Sequence, residues 1–176
     1  METINTKFKK IIDKYPDLWQ NETYKKGELL IKTGKTIKQI FYVKSGVIKG
    51  CLHNAIKDKE VIVDFFRAGS IIIPYSCFVY NLPAIMDVQV IDKSLVSTIN
   101  QENWEVIIEQ ETELKDLIRD FAISQAADYL RHIVNSFDAG SYYQKLIVDI
   151  PFLRNLKDVD VASYLGISRS TLLRIK

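Results

Sequence analysis

Residues 158–176, DVDVASYLGISRSTLLRIK, decide the fold of the C-terminal part of the chain. Their apolar positions predict two short helices joined by a tight turn at Gly166, where a left-handed backbone costs least. Ala162 is small where the two helices would cross, and Ser168 can cap the second helix. This spacing is typical of a helix-turn-helix, in which an apolar hairpin presents its second helix to the DNA major groove.

The outward face of the second predicted helix is polar and basic. From Arg169 to Lys176 the chain carries three positive charges and no negative one, although its net charge is only +2. Such side chains contact phosphates and guanine edges, so the segment predicts a DNA-binding surface. The expected DNA contacts are Ser168, Arg169, Ser170, Thr171, Arg174 and Lys176.

The composition is that of a globular protein. Of the 176 residues, 47% are hydrophobic and 26% are charged, which is enough apolar material for a core. No run of about eighteen apolar residues predicts a membrane span. The first residues, METINTKFKKIID, lack the apolar core of a signal peptide, so we expect a cytoplasmic protein with no membrane partner.

The first hundred residues are rich in Ile, Val, Phe and Tyr and are punctuated by turn signals, Ser45-Gly46 among them. After a short amphipathic helix over Thr3–Leu18, this pattern predicts an antiparallel sandwich or barrel. Ser70–Pro83 is irregular and has two prolines, so we expect it to break the sheet. The predicted strands are Tyr24–Lys32, Ile40–Lys44, Val47–His53, Glu60–Phe66 and Asp87–Asn100.

The helical period takes over at Gln101, with a short helix predicted over Glu102–Gln110 and a long one over Thr112–Phe137. The apolar surface of the long helix is wider than one stripe. It therefore predicts packing on the β domain and on a second copy of the chain, although a core helix of a monomer remains the alternative. His132 is expected on its solvated face. A further helix is predicted over Ser141–Asp149.

Taken together, a β-rich first domain, a long helix and a terminal helix-turn-helix resemble the Crp/Fnr family of bacterial transcription regulators. Glycine-punctuated turns carry the resemblance in the first domain, and Val161–Ile175 is very similar to the family's DNA-reading hairpin. The matching first-domain segments are Lys26-Gly27-Glu28, Gly34, Ile40–Gly46 with Val47, and Phe65–Gly69 with Ser70.

The resemblance implies an α+β fold with an antiparallel double-stranded β-roll, jelly-roll-like, as the sensor domain over residues 1–110. It further implies a long dimerisation helix over 111–138 and a DNA-binding domain over 141–176. By position, Arg169, Ser170 and Arg174 would read bases, with Ser168 and Thr171 nearer the phosphates. The implied partners are double-stranded DNA, a second copy of the chain, RNA polymerase and a small-molecule effector.

Two departures from the family pattern stand out. Members that bind cyclic AMP carry Gly-Glu and then Arg-Ser or Arg-Thr in the segment that corresponds to Ser70–Asp87, which here has no Gly, Glu or Arg. Because a buried phosphate without such partners is very costly, we expect an effector other than a cyclic nucleotide. The β-wing that often follows the reading helix is absent, so either this branch lacks it or the chain is incomplete.

An effector pocket is predicted between the β domain and the long helix, around the aromatic cluster Tyr75, Phe78 and Tyr80. The alternative is that this cluster is simply core. The residues expected to line the pocket are Ser70, Ile72, Tyr75, Ser76, Phe121 and Gln125.

The sequence gives no support for a cofactor, a metal or catalysis. The two cysteines, Cys51 and Cys77, are too few for an iron–sulfur cluster and lack zinc-ligand spacing. No neighbouring residue in the sequence supports haem ligation through His53 or Cys77. None supports a redox role for Cys77 either. There is no phosphate loop, nucleophile elbow or His pair at metal spacing, so we expect a protein that is not an enzyme.

The sequence as a whole therefore predicts a homodimeric, sequence-specific DNA-binding regulator of transcription that senses an effector. The alternative is a ligand-sensing or protein-interaction module whose helical tail has no DNA role. Leu173, on the outer face of the last helix, is the residue that favours this alternative.

Overall fold

The computed structural model of the chain describes residues 4–56 and 58–176. The predicted helix start at Thr3, and Lys57 in the turn signal between Asn54 and Asp58, lie outside them. The strands are β1 Gln20–Tyr24, β2 Leu29–Ile31, β3 Gln39–Asn54, β4 Lys59–Arg67, β5 Ile71–Ile72 and β6 Asp87–Asn100. The α-helices are α1 Ile4–Lys14, α2 Tyr75–Tyr80, α3 Gln101–Gln110, α4 Leu114–Ser136, α5 Ala139–Asp149, α6 Asp158–Tyr164 and α7 Arg169–Ile175; 3-10 turns lie at Pro16–Leu18 and Pro151–Asn155.

The strands form one sheet whose pairings are antiparallel. Its order is β1-β6-β3-β4, with β2 paired to β6 and β5 paired to β3. The sheet encloses an apolar interior that includes Phe41, Val43, Ile48, Val88 and Val96, so it closes on itself as a β-roll. The predicted α+β fold, with an antiparallel roll followed by helices, is confirmed.

Strand β3 corrects one prediction. The turn expected at Ser45-Gly46 is a bend inside a single 16-residue strand, because the pairing with β6 shifts register there and then resumes. Gly46 has φ +95°, and a Cβ atom on it would lie 2.6 Å from the carbonyl oxygen of Lys93. Only glycine fits this bulge, which lets the strand change direction without leaving the sheet.

Two other segments differ from the predicted strands. The expected strand over Tyr24–Lys32 is divided, because Gly27, with φ +90°, turns the chain between β1 and β2. Most of β1 itself was missed, since its residues QNETY are polar and the first four are exposed. The segment Ser70–Pro83 leaves the sheet as expected, but only after Ile71–Ile72 has paired with β3.

A second core joins the roll to the helices that flank it. Phe8 of α1 stacks on Trp104 of α3 with ring centroids 5.8 Å apart and meets Phe121 of α4 edge-on at 6.2 Å. These three rings are buried, so α1, α3 and the first half of α4 form one layer on the roll.

Helix α4 runs for 23 residues and changes surroundings along its length. Leu117, Ile118 and Phe121 in its first half are buried, whereas Leu130 and Val134 in its second half are each 65% exposed. A helix of this length spans about 35 Å, which carries the chain from the roll to the C-terminal domain. None of the helices in the described residues is long and apolar enough to cross a membrane.

Candidate nucleic-acid interface and sensor cavity

The turn between α6 and α7 has the backbone geometry that the sequence predicts. Gly166 has φ +69°; its N–H donates to the carbonyl of Ser163 at 3.1 Å, and the N–H of Ile167 donates to the carbonyl of Ala162 at 3.0 Å. These two bonds close the C-terminus of α6 and need the left-handed residue between them. The chain can therefore turn sharply and begin α7 within a few residues.

The hydroxyl of Ser168 caps the N-terminus of α7. Its Oγ accepts the backbone N–H of Thr171 at 3.0 Å and lies 2.8 Å from the hydroxyls of both Ser170 and Thr171. Because the cap holds these hydroxyls together, the first turn of α7 presents a compact polar surface.

An apolar core fixes the inner face of α7. Leu172 is 0% exposed and packs with Val161, Ala162 and Leu165 of the preceding helix and with Leu146 of α5. This packing determines which side of α7 points away from the protein.

The outer face of α7 carries the predicted DNA-contacting side chains. Arg169, Ser170 and Arg174 are exposed, and Arg174 Nη2 lies 3.4 Å from the hydroxyl of Thr171. Lys176 forms an ion pair with Asp158 in the first turn of α6, which ties the two ends of the hairpin together. Leu173 is also exposed on this side.

The C-terminal domain docks on β4, which is an edge strand of the sheet. The backbone N–H of Ile62 donates to Ser163 Oγ of α6 at 3.1 Å. The ring of Phe65 contacts Tyr164 with centroids 5.1 Å apart and Phe152 edge-on at 6.1 Å. A strand edge that would otherwise face solvent is thus partly covered by the helix-turn-helix.

His132 links α4 to this domain, so its expected position on a solvated face is wrong. Its Nε2 lies 2.8 Å from the backbone carbonyl of Tyr164, and its Nδ1 lies 2.7 Å from the hydroxyl of Tyr142. Since a carbonyl only accepts, Nε2 carries the proton and Nδ1 accepts from Tyr142. Burial lowers the pKa of the imidazole, while the bond to the Tyr164 carbonyl opposes that effect.

Asp64 of β4 lies at the same junction. Its Oδ2 is 3.5 Å from the hydroxyl of Tyr129 on α4, and its Oδ1 accepts the N–H of Phe65 at 2.7 Å. Burial raises the pKa of this carboxyl to about 7, with a smaller contribution from the charge of Asp128, while the two hydrogen bonds act in the opposite direction. No ion pair within the described ranges includes Asp64, so its charged form is poorly compensated.

A cavity of about 520 Å³ separates the roll from α4. Three of the residues expected in an effector pocket line it, namely Tyr75, Ser76 and Gln125. Ser70 and Phe121 line a neighbouring cleft, which Gln125 also reaches. Ile72 is 2% exposed and packs in the interior of the roll. The six predicted residues are therefore divided among three places.

The cavity does not fit a cyclic nucleotide. Its walls are mostly apolar, and none of the described residues that line it is Lys or Arg. A cyclic phosphate placed there would lose its hydration without gaining a cation. This agrees with the absence of Arg from Ser70–Asp87.

An exposed apolar stripe runs along α4 from Ile123 to Phe137, the residue that follows the helix. Ile123, Leu130 and Phe137 recur every seven residues, and Ile133 and Val134 lie between the last two; all five are more than half exposed. Exposed apolar residues spaced by seven are typical of the seam of a two-stranded coiled coil.

Sequence reasoning missed the residues at the junction between the domains. The sequence pointed only weakly to a special role for Asp64, which is an acidic residue inside the apolar run VIVDFF. Tyr129 and His132, three positions apart, share one face of α4. Tyr142 and Tyr164 gave no signal, since their contacts come from distant parts of the chain.

Similarity to known proteins covers both domains. The sequence profile of the cyclic nucleotide-binding domain matches residues 21–111. No protein of curated function matches the chain in sequence. Among solved structures, the chain is similar to the c-di-GMP-responsive global regulator CLP of Xanthomonas campestris, with TM-score 0.75 and 13% identity over 95% of this chain and 89% of that one.

Two further structures have the same arrangement. A CooA mutant from Carboxydothermus hydrogenoformans aligns with TM-score 0.71 and 17% identity over 94% of this chain and 80% of that one. FixK2 from Bradyrhizobium japonicum aligns with TM-score 0.72 and 12% identity over 89% of this chain and 82% of that one. At these identities, the likeness shows a common fold that extends through the C-terminal helices.

Proposed function

Because the chain belongs to the cyclic nucleotide-binding domain family and shares the fold of Crp/Fnr-type regulators, we propose that it is a homodimeric, sequence-specific DNA-binding regulator of transcription. In this proposal residues 1–110 form the sensor domain, residues 111–138 the dimerisation helix and residues 141–176 the DNA-binding domain.

One observation carries the proposal. Helix α7 is anchored by Leu172, which is fully buried, and turns the exposed side chains of Arg169, Ser170 and Arg174 outward. A helix held in this way can enter a major groove with its N-terminal residues toward the base edges. Guanidinium groups recognise guanine there, and the hydroxyls of the capped first turn can reach phosphates.

The apolar stripe of α4, defined by Ile123, Leu130, Ile133, Val134 and Phe137, supports a dimer. Pairing two such stripes would relate two reading helices by a two-fold axis. Reading helices about 34 Å apart would then bind successive major grooves of a roughly palindromic site. An effector bound between the roll and α4 would act by favouring one arrangement of these elements over another.

Selection of bound fragments from a random DNA pool by the full chain tests DNA recognition. We expect a two-fold symmetric sequence to be enriched. Affinity for that sequence should fall steeply as salt increases, because phosphate contacts release counterions. A pool without enrichment, or an affinity that does not depend on salt, would contradict the proposal.

Sedimentation of the Leu130→Asp variant tests the dimer. A charge placed in the centre of the stripe should convert a dimer into a monomer, because an unpaired carboxylate in an apolar interface is costly. Lys26→Asp, at an exposed turn of the roll, adds a carboxylate away from the stripe and should leave the dimer intact. A wild-type chain that sediments as a monomer would refute the proposed dimer.

Leu173 supports the second candidate, a tail that binds another protein. It is 53% exposed beside the arginines of α7. If the tail binds a protein, Leu173→Ser should impair the regulatory activity of the protein in cells more than Arg169→Ala does. For a DNA reader we expect the reverse order.

A further inference from the structure

We propose that the cavity between the β-roll and α4, here called the sensor cavity, binds an uncharged and mostly apolar small molecule. This inference rests on the sensor role given to the first domain above, and it adds the chemical class of the effector. It differs from the ligand class that the family's name implies.

The size of the sensor cavity suits a small organic ligand. Its volume of about 520 Å³ lies within the range of roughly 300–1,000 Å³ that is usual for such sites. Its walls come from the roll, from α2 and its flanking segments, and from the middle of α4. A ligand there would contact the roll, α2 and α4 at once.

The lining of the sensor cavity decides the class of ligand. Ile31, Val63, Ile73, Ala84 and Met86 supply much of the wall, and no described residue of the lining is Lys, Arg, Asp or Glu. An ion would lose its hydration in this space and would find no opposite charge. An uncharged apolar molecule would instead be transferred out of water favourably.

Two polar side chains remain available to orient such a molecule. Ser76 on α2 and Gln125 on α4 both line the sensor cavity. Within the part of the chain that the structure describes, neither the hydroxyl of Ser76 nor the amide of Gln125 forms a side-chain hydrogen bond. A ligand with one or two hydrogen-bonding groups could satisfy both, which is how mostly apolar sites gain specificity.

The far wall of the sensor cavity connects it to the helix-turn-helix. Tyr129 and His132 line both this cavity and the adjacent polar cleft, which Tyr142 and Tyr164 also line. His132 therefore touches the ligand space on one side and is hydrogen-bonded to the carbonyl of Tyr164 on the other. A molecule that displaces these side chains would act directly on α6.

Fluorescence titration of the full chain with N-phenyl-1-naphthylamine, an uncharged apolar probe, tests the inference. We expect saturable binding that a large excess of cyclic AMP does not displace. Ser76→Trp should fill the sensor cavity and weaken probe binding by at least about tenfold. Val79→Trp is the matched control, because Val79 is an exposed residue of the same short helix and does not line the cavity.

Three results would overturn the inference: no saturable binding, equal binding by wild type and Ser76→Trp, or displacement of the probe by cyclic AMP. If Ser76→Trp does not fold, Gln125→Glu replaces it. A carboxylate at the rim should weaken probe binding by at least about fivefold, and unchanged binding would again refute the inference. Arg169→Ala should bind the probe normally, so a failure in DNA recognition is measured separately.

Discussion

The imidazole of His132 in the long helix α4 donates its Nε2 proton to the backbone carbonyl of Tyr164 in α6, across 2.8 Å. The two rings also stack, with centroids 4.1 Å apart. This single pair joins the helix proposed for dimerisation to the first helix of the helix-turn-helix. The contact between His132 and Tyr164 should therefore affect the stability of the docked C-terminal helices and the way that this stability changes with pH.

Replacing His132 by alanine should loosen the C-terminal domain. Two hydrogen bonds and a ring stack are lost, so the free energy of unfolding should fall by about 1–3 kcal/mol. Hydrogen exchange of the α6 amides should quicken by more than that of the β3 amides. His53→Ala is the control, because the His53 side chain is 56% exposed and its ion pair is with Asp58, which is 95% exposed. Equal effects of the two substitutions would show that the junction contributes nothing.

Acidification should weaken the same junction. Burial holds the pKa of His132 below the value of 6.5 that it has in an unfolded chain, so the unfolded state binds its proton more readily. The stabilisation from neutral His132 is therefore fully present above about pH 6.5 and is lost as pH falls from there toward the folded pKa. NMR titration of the His132 imidazole should give a folded pKa below 6.5. A folded pKa above 6.5 would reverse the sign.

Asp64 should respond to pH in the opposite direction. Its pKa is raised from 3.8 to about 7, so between these values the folded state binds the proton more tightly and stability declines as pH rises. Asp64→Asn removes the charge and should stabilise the protein at pH 8 by roughly 1–3 kcal/mol, with little effect at acid pH. Chemical denaturation of the wild type and the variant, at pH 8 and at acid pH, measures the difference in their free energies of unfolding. A variant that is less stable at pH 8 would refute it.

Arg169→Ala should reduce affinity for the selected DNA site by about 1–3 kcal/mol and relax the preference at one base position. Lys115→Ala removes an equal charge at the start of α4, roughly 20–25 Å along the helix axis from Tyr129 and His132, and should not affect binding. Fluorescence anisotropy with specific and random duplexes compares the DNA affinities of the two variants. If both duplexes lose affinity equally, Arg169 contacts a phosphate instead of a base.

Alanine at Gly46 should be poorly tolerated. The added methyl group would collide with the backbone at Lys93 and Ser94, and φ is positive at this bulge. We expect a loss of about 2 kcal/mol or more, measured by denaturant unfolding. Gly34→Ala is the control, because Gly34 also has positive φ but has open space around its Cβ position; it should cost only about 1 kcal/mol.

The helix-turn-helix was predictable because its determinants are local. Gly166, Ser168 and Ala162 act through bonds to residues within five positions of themselves. The bend at Gly46 was predictable only in part. The sequence marks a glycine with unusual backbone freedom. Whether that glycine ends a strand or bends it depends on the pairing of β3 with β6.

The junction between the domains could not be predicted. His132 meets Tyr164 across 32 positions, and Asp64 meets Tyr129 across 65, so neither contact leaves a periodic pattern in the sequence. Three of the six residues expected in the effector pocket lie elsewhere for a similar reason. The sequence marks Ser70–Pro83 as irregular and does not show that Ile72 pairs in β5 or that its side chain turns into the interior of the roll.

The bond from Ile62 N–H to Ser163 Oγ has a consequence for solubility. Any state in which the terminal hairpin moves away from β4 leaves that backbone donor, and the aromatic ring of Phe65, without their partners. An uncovered strand margin is a template on which another molecule can add a strand. Release of the terminal hairpin is therefore coupled to a risk of self-association through β4.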